Sequence, residues 1–337
     1  MEQKPKLADV ALAANVSTAT ASQVLRGTGR ISDATRKTVL AAAKKLNYVR
    51  DGRAASMRSG ENHEIGFAVH QIANPFNAEV ISGVSDLLES EGYFVSILDS
   101  RDDNKRQRRN LEAFIQSSRG GLLWVPAENT DDGTYDLLKA QGIPTVTFLR
   151  RSGKGRFDHV GIENAAAVST AVDHLTSLGH RHIAYLGGTA TFGVRVERID
   201  GVTKTLSNLG LPDPVIWHCP DDKVAGLAEI SKLRAAHPEV TGIICNGDMV
   251  AIGACSGLVR MGLTPGKELS IVGFDDVQDA AIATPPLTTL AVSPYQLGRK
   301  LARVALDRIN DPDMPTAVSL VPAELVVRET TGPAPTS

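Results

Sequence analysis

The sequence predicts an α/β fold in which a small helical head precedes two tandem α/β units. Residues 7–46 carry apolar side chains at helical spacing. From Glu64 onward, short apolar strands alternate with amphipathic helices, which is typical of a parallel sheet covered on both faces. After a short strand at 158–162 the same alternation starts again, so a second unit follows the first.

The first two helices of the head form a helix-turn-helix pattern. Leu7, Val10 and Ala11 fall on one face of the first helix, Asn15 suits a left-handed turn, and Ser17 is placed to cap the second helix. The outer face of that second helix carries Thr18, Ala19, Ser22, Gln23 and Arg26. Small polar groups on a short helix suit the major groove of DNA. The alternative is a helical subdomain that binds nothing.

A third helix begins at Ser32, which is a good N-cap, and its apolar stripe runs from Val39 to Leu46. Residues 49–63 are polar and basic and contain two glycines, so they resemble a linker with at most one or two helical turns. A helix this short is unstable alone in water. We therefore expect residues 50–58 to become helical only on DNA.

The remaining elements are predicted in order along the chain. The first unit contains strands at 65–69, 93–98, 120–125, 144–149 and 158–162, with helices at 77–91, 104–117 and 132–141. The second contains helices at 164–178, 195–209, 223–235 and 248–260, with strands at 182–188, 214–218, 241–246 and 269–274. A strand at 287–292, a helix at 294–309 and paired strands near 317–327 complete the chain.

Ligands of open parallel sheets bind at the carboxyl ends of the strands, and two such units side by side create a cleft. Polar residues that directly follow predicted strands are therefore the candidates for binding.

The charge is distributed unevenly. The first 60 residues hold eleven Lys and Arg against four Asp and Glu, whereas the rest holds 25 basic and 34 acidic residues. A basic head that coincides with a helix-turn-helix pattern favours contact with phosphates. The N-terminal residues lack the apolar core of a secretory signal, and no apolar run is long enough to span a bilayer. We expect a cytoplasmic protein with no membrane partner.

The sequence lacks the motifs of several enzyme and nucleotide-binding classes. There is no phosphate-binding GxxxxGK[ST] loop, no GxGxxG after a strand, no GxSxG and no HExxH. Cys219, Cys245 and Cys255 show no metal or redox spacing, and His174 and His180 suit surface and capping positions better than metal ligation. We therefore expect no catalytic residues, no metal and no cofactor other than a small-molecule effector.

The motifs resemble those of the LacI/GalR family of bacterial transcription regulators. They include DVALAANVSTATASQVLRG, ISDATRKTVLAAAKKLNY, ANPFNAEVISGV, CNGDMVAIGA, LSIVGFDD and TPPLTTL, in order along nearly the whole chain. GRIS, YVRDGRAASMR and VRVERIDG are similar to the maltose-regulon repressor branch. The resemblance implies two Rossmann-like subdomains in a body like that of periplasmic binding proteins.

The resemblance also divides the chain. It implies a DNA-binding domain at 1–49, a hinge at 50–62 and an effector-binding and dimerisation domain at 63–337. Within that domain, the N-subdomain comprises about 63–161 plus 291–320, and the C-subdomain comprises about 162–290 plus 321–330.

In the head, the resemblance implies that Thr18, Ala19 and Gln23 read bases in the major groove. It places Arg26 at an adjacent position that faces the DNA backbone. Ser22 shares the outer face of this helix and is expected to contact DNA with them. Four further residues stand where the family grips phosphates: Ser17, Ser32, Thr35 and Tyr48. Met57 stands where the family has a leucine wedge that enters the minor groove; the alternative is an ordinary linker residue.

In the body, the resemblance implies an effector site formed by Phe76, Arg150, Arg195, Arg198, Asp248 and Asp275. Two of these have alternatives, because Asp248 is also placed to cap the helix that follows it, and Arg195 is equally consistent with a surface position. Asp221 stands where purine-binding relatives have an aromatic residue, which argues against a purine. Arginine, aspartate and phenylalanine together suit a polyhydroxylated ligand such as a sugar.

We therefore expect a regulator, most often a repressor, that binds a palindromic operator as a homodimer and responds to a sugar or sugar derivative. The alternatives are a periplasmic-type sugar-binding protein, which shares the two-domain body, and a sugar-metabolising α/β enzyme. The basic head opposes the first, and the missing catalytic pattern opposes the second.

Overall fold

The computed structural model describes residues 4–49, 62–117, 120–151, 155–189 and 193–335. The chain divides into two compact units, residues 1–62 and residues 63–337. The predicted hinge, including Met57, lies outside the described residues except for Asn62. Its ordering on DNA therefore stays a prediction.

Three short helices form the head: α1 (Leu7–Ala13), α2 (Thr18–Arg26) and α3 (Asp33–Lys45). Asn15 has a φ of 53°, which confirms the left-handed turn between α1 and α2. The Ser17 hydroxyl accepts a hydrogen bond from the Thr20 N–H at 3.0 Å, and the Ser32 hydroxyl accepts one from the Thr35 N–H at 3.3 Å. Both predicted N-caps are confirmed.

The head has its own apolar core, which explains how such short helices hold together. Its buried members are Val10, Ala11, Ala14, Ala21, Val24, Val39, Ala42 and Ala43. The outer face of α2 is left exposed or half-buried, as its pattern predicts.

The body follows the predicted order of strands and helices. Its first elements are β1 (Glu64–Val69), α4 (Pro75–Ser90), β2 (Phe94–Asp99), α5 (Asn104–Ser117), β3 (Gly121–Trp124), α6 (Asp132–Ala140), β4 (Thr145–Phe148) and β5 (Asp158–Ile162). The next are α7 (Asn164–Ser177), β6 (Ile183–Leu186), α8 (Val194–Asn208), β7 (Val215–Trp217), α9 (Lys223–Ala236), β8 (Gly242–Cys245), α10 (Asp248–Arg260) and β9 (Ser270–Asp275). The last are α11 (Gln278–Ile282), β10 (Thr288–Ala291), α12 (Pro294–Asn310), β11 (Val318–Val321) and β12 (Glu324–Val326).

These strands form two six-stranded sheets. The first has the order β11-β5-β4-β3-β1-β2, and all its pairs are parallel. The second has the order β12-β10-β9-β8-β6-β7, and only its β12 pair is antiparallel. The predicted parallel α/β architecture is confirmed.

The expectation that the strands near 317–327 pair with each other is wrong. Strand β11 lies beside β5 in the first sheet, whereas β12 lies beside β10 in the second. Only Pro322 and Ala323 separate the two strands. Proline has a fixed negative φ, whereas two-residue hairpins need positive φ, so the chain continues into the other sheet instead of turning back.

The positions of two histidines, one buried and one half-buried, correct the sequence interpretation. His180 is fully buried. Its ring is 2.9 Å from the Thr241 hydroxyl and 3.0 Å from the Gly332 carbonyl. His174 contacts the Thr331 hydroxyl at 2.9 Å. His174 thus attaches the C-terminal segment to α7, and His180 attaches it to the residue that precedes β8.

Candidate functional site

A cavity of about 170 Å³ lies where the carboxyl ends of the two sheets face each other. The first sheet contributes residues that follow β1, β3 and β4, together with the first turn of α4. The second sheet contributes residues that follow β6, β7 and β8, the end of β9 and the first turns of α8. Five predicted residues line this cavity: Phe76, Arg150, Arg195, Arg198 and Asp275.

Phe76 forms the apolar part of the wall. Asn74 caps α4 by accepting a hydrogen bond from the Phe76 N–H at 3.0 Å, and Pro75 begins the helix. The Phe76 ring lies nearly parallel to the buried ring of Phe148, with 6.4 Å between the centroids. The aromatic surface is therefore held in place by the core behind it.

Arg150 follows a tight turn at the end of β4. Leu149 has a φ of 58°, and the Arg150 N–H donates to the Phe148 carbonyl at 2.6 Å. The guanidinium donates twice to the Asp102 carboxylate, at 2.5 and 3.0 Å. Burial alone would raise the pKa of Asp102, but the hydrogen bonds and charge of Arg150, together with the Glu128 N–H and His70, outweigh it and leave this pKa lowered.

Arg198 stands at the centre of the cavity wall and is only 5% exposed. Its Nε donates to the Asn164 side chain at 2.9 Å, and its Nη1 donates to the Asn246 carbonyl. Its Cζ lies 3.4 Å from the centroid of the Phe274 ring, a close cation–π contact. One arginine thus joins the start of α7, the residue after β8 and the cavity.

Arg195 is 6% exposed, so the alternative of a surface residue is wrong. Its Nε donates to the Gly187 carbonyl at 2.9 Å, and its Nη2 lies 3.1 Å from Nδ1 of His218. These contacts come from the loop after β6 and from the end of β7, and they fix the guanidinium in the wall.

Two aspartates complete the part of the cavity wall that the second sheet contributes. Asp275 ends β9 with a φ of 115°, a strained position for a residue with a side chain. Its carboxyl has no hydrogen-bond partner among the residues that the structure describes. Burial raises the pKa of Asp275 well above its ordinary value, although Arg198 opposes the shift. Asp221 accepts from the Asn246 amide at 2.7 Å, and burial raises its pKa too.

Asp248 does not line the cavity, although it was predicted to contact the effector. It is fully buried and accepts hydrogen bonds from the Val277 N–H at 2.9 Å and from the Thr289 hydroxyl. The N-cap of α10 is Gly247, so the capping alternative is not observed either. Asp248 instead connects α10 to β10 and to the segment after β9, and burial raises its pKa to about 7.

The sequence analysis did not single out three polar groups of the cavity: His70, Glu128 and Asn246. His70 and Asn246 directly follow β1 and β8, so the carboxyl-end rule could have found them. Nδ1 of His70 is buried without a partner within the described ranges, and burial lowers the pKa of this histidine to about 4.

In the head, Thr18, Ala19 and Arg26 are exposed on α2, and Gln23 is half-buried. A Cβ added at Gly29 would lie 3.0 Å from the Gln23 side-chain oxygen, so that side chain rests against the turn after α2. Ser22 and Thr35 are half-buried, Ser17 and Ser32 are exposed, and Tyr48 packs against the head core.

Neither a metal cluster nor a membrane helix is present in the described part of the chain. No group of three or more His, Cys, Asp or Glu side chains there could hold a metal ion. None of the helices described is both long and apolar enough to cross a membrane.

Comparison with known proteins identifies both parts of the chain. Residues 6–51 match the family model "Bacterial regulatory proteins, lacI family", and residues 172–331 match "Periplasmic binding protein-like domain". The HTH-type transcriptional regulator MalR of Streptomyces coelicolor is 30% identical over 340 residues, with 98% of this chain and 97% of that protein covered. The maltose regulon regulatory protein MalI of Escherichia coli is 29% identical, with 96% and 98% covered.

A solved complex of the transcriptional regulator CelR with cellobiose has a TM-score of 0.73 and 26% identity, covering 97% of this chain and 99% of that one. The chain belongs to the LacI family of bacterial regulatory proteins. It is a DNA-binding transcriptional regulator controlled by a small-molecule effector, as the names of its relatives and the regulator–cellobiose complex indicate.

Proposed function

We propose that this protein is a repressor that binds a palindromic operator as a homodimer in the cytoplasm and is controlled by a sugar or sugar derivative in the cleft. One observation supports the effector site above all others. Side chains from both sheets, Phe76 and Arg150 from one and Arg198 and Asp275 from the other, line a single cavity. A ligand that touches both sides favours one closure of the cleft over another, which is how binding is coupled to the rest of the chain.

The proposed contacts divide by chemistry. Phe76 covers the apolar face of a sugar ring, whereas Arg150, Arg195, Arg198 and Asp275 bond its polar groups. The effector-binding domain would span 63–337, with N- and C-subdomains built on the two sheets.

For DNA, the proposed contacts are those implied by the family resemblance. They are Ser17, Thr18, Ala19, Ser22, Gln23, Arg26, Ser32, Thr35, Tyr48 and Met57. Each chain has one helix-turn-helix, so a dimer would place two heads in successive major grooves about 34–36 Å apart. The domain at 1–49 and the hinge at 50–62 belong to this proposal.

The test uses the full-length protein. A thermal-shift screen of neutral sugars, sugar acids and nucleosides would identify ligands, and fluorescence anisotropy with the operator would measure how each one changes DNA binding. We expect a sugar to raise the melting temperature and to change operator affinity. A nucleoside that does both while every sugar fails would overturn the effector class and leave the regulator assignment intact.

A further inference from the structure

The three arginines of the cleft suggest an anionic ligand, but each is already bonded to the protein. Arg150 is held by Asp102 and by the Pro126 carbonyl. Arg195 donates to the Gly187 carbonyl, and Arg198 donates to Asn164 and to the Asn246 carbonyl. These bonds occupy part of each guanidinium, so fewer of its N–H donors remain for a phosphate or carboxylate.

Two carboxyl groups of the cleft, in contrast, have oxygen atoms without a hydrogen-bond partner among the described residues. One oxygen of Asp221, Oδ1, is buried without a hydrogen-bond partner among the described residues. The carboxyl group of Asp275, which is half-buried, has none either. Buried acceptors without donors are rare in proteins because each loses its hydrogen bond to water without replacement. Oδ1 of Asp221 therefore lacks a donor, and Asp275 adds a second carboxyl group without one.

The two carboxyl groups converge on the same place. A methyl group added to Gly247 would lie 3.4 Å from Oδ2 of Asp275 and 3.5 Å from Oδ1 of Asp221. Gly247 joins β8 to α10, so this place lies at the carboxyl end of the second sheet. The two carboxyl groups can therefore accept hydrogen bonds from neighbouring groups of one ligand.

The charges around Asp221 and Asp275 also favour a ligand without negative charge. Arg198 is the cation that interacts with both Asp221 and Asp275, and burial still raises the pKa of each. A bound anion would add a further negative charge beside these groups. Hydroxyl or amine donors would satisfy them.

We propose that Asp221 and Asp275 form a donor-selective subsite that accepts an uncharged or aminated polyhydroxylated ligand and rejects phosphorylated or carboxylated sugars. Asp221 is a specificity-determining residue in this assignment. The inference rests on the proposed function, because it concerns the same cleft.

The experiment measures dissociation constants by calorimetry on the full-length protein with matched probes. They are ribose and ribose 5-phosphate; glucose, glucosamine and glucose 6-phosphate; cellobiose and cellobionic acid. We expect every probe that binds to be uncharged or aminated, and its anionic counterpart to bind at least about tenfold more weakly, since each lost hydrogen bond to a charged group costs that much or more. Asp221→Asn keeps the shape of the side chain but removes its charge. The ratio of the dissociation constants of each anionic probe and its neutral counterpart should therefore fall about tenfold.

Asp213→Asn is the control, because Asp213 is exposed and outside the cavity. Should Asp221→Asn fail to fold, Gly247→Ala replaces it: its methyl would make ordinary contacts with both carboxyl groups and occupy the subsite. It should weaken binding of the same probes at least tenfold.

The outcomes separate the two proposals. An anionic probe that binds as tightly as its neutral counterpart, or unchanged discrimination in Asp221→Asn, would overturn the subsite and leave a sugar-controlled regulator standing. If no probe binds while a nucleoside does, this result would overturn both the proposal that the effector is a sugar and the proposed subsite.

Discussion

The guanidinium of Arg198 lies over the ring of Phe274, with 3.4 Å between Cζ and the ring centroid. Phe274 is a fully buried residue of β9, and Asp275 is its neighbour in the chain. The strand that supports the cation therefore also presents the carboxyl group of the cavity. Arg198 is also bonded to Asn164, the first residue of α7, which follows β5 of the first sheet. A ligand at this arginine is therefore connected to both sheets of the body.

Replacing Arg198 should abolish the effector response. Arg198→Ala removes the bonds to Asn164 and Asn246, and Arg198→Lys keeps the charge but loses the planar fork. We expect both to weaken effector binding by about tenfold or more, at roughly 1–3 kcal/mol per lost bond. Calorimetry measures the affinity. Arg181→Ala, an exposed arginine outside the cavity, should bind as the natural protein does.

Asp275→Ala should also remove the effector response, because the carboxyl group has no other partner in the described structure and is available to a ligand. The competing explanation is a structural role at the strained end of β9. The melting temperature distinguishes the two, since a ligand contact can be lost without lowering it. A variant that melts normally and still binds the effector with unchanged affinity would remove Asp275 from the site.

Asp248 should make stability depend on pH. Its pKa is about 7 in the folded protein against an ordinary value of 3.8, so unfolding releases a proton between these values. The contribution of Asp248 to stability is therefore present below about pH 4 and is lost as the pH rises through about 7.

Asp248→Asn cannot titrate, and it can still bond Val277 and Thr289. Its melting temperature should rise relative to that of the natural protein as the pH is raised from about 4 to about 8. Asp213→Asn serves as the exposed control. A difference in melting temperature that stays constant over this range would contradict the assignment.

In the head, Gln23→Ala should relax the preference at one base pair of each half-site, at a cost of about 1–3 kcal/mol. Arg26→Ala is the matched contrast, because a phosphate contact should weaken all sequences alike and reduce the salt slope by about 1. Competition binding against a set of operator variants measures both effects. If Gln23→Ala binds every variant as before, Gln23 does not read a base.

The sequence could predict part of the cavity because the carboxyl-end rule is local. Arg150 and Asp275 directly follow predicted strands, as the rule requires. Phe76, Arg195 and Arg198 lie in the helices that come next and were predicted from the family resemblance. All five line the cavity. Asp248 follows β8 by the same rule, yet its side chain points to Val277 and Thr289. Position after a strand determines the edge of the sheet, but side-chain direction depends on what packs there.

By itself, the sequence determined the order of helices and strands, the caps at Ser17 and Ser32, and the two-unit α/β class, because periodicity and capping act within a few residues. Only the tertiary structure decided that β11 and β12 join different sheets and that Arg195 is buried. It also decided that the arginines of the cleft are bonded to the protein, while Oδ1 of Asp221 has no partner among the described residues. These outcomes depend on contacts between residues far apart in the chain. No local sequence pattern specifies the sheet edge at which a strand pairs. Nor does it specify which donor forms a hydrogen bond with a buried acceptor.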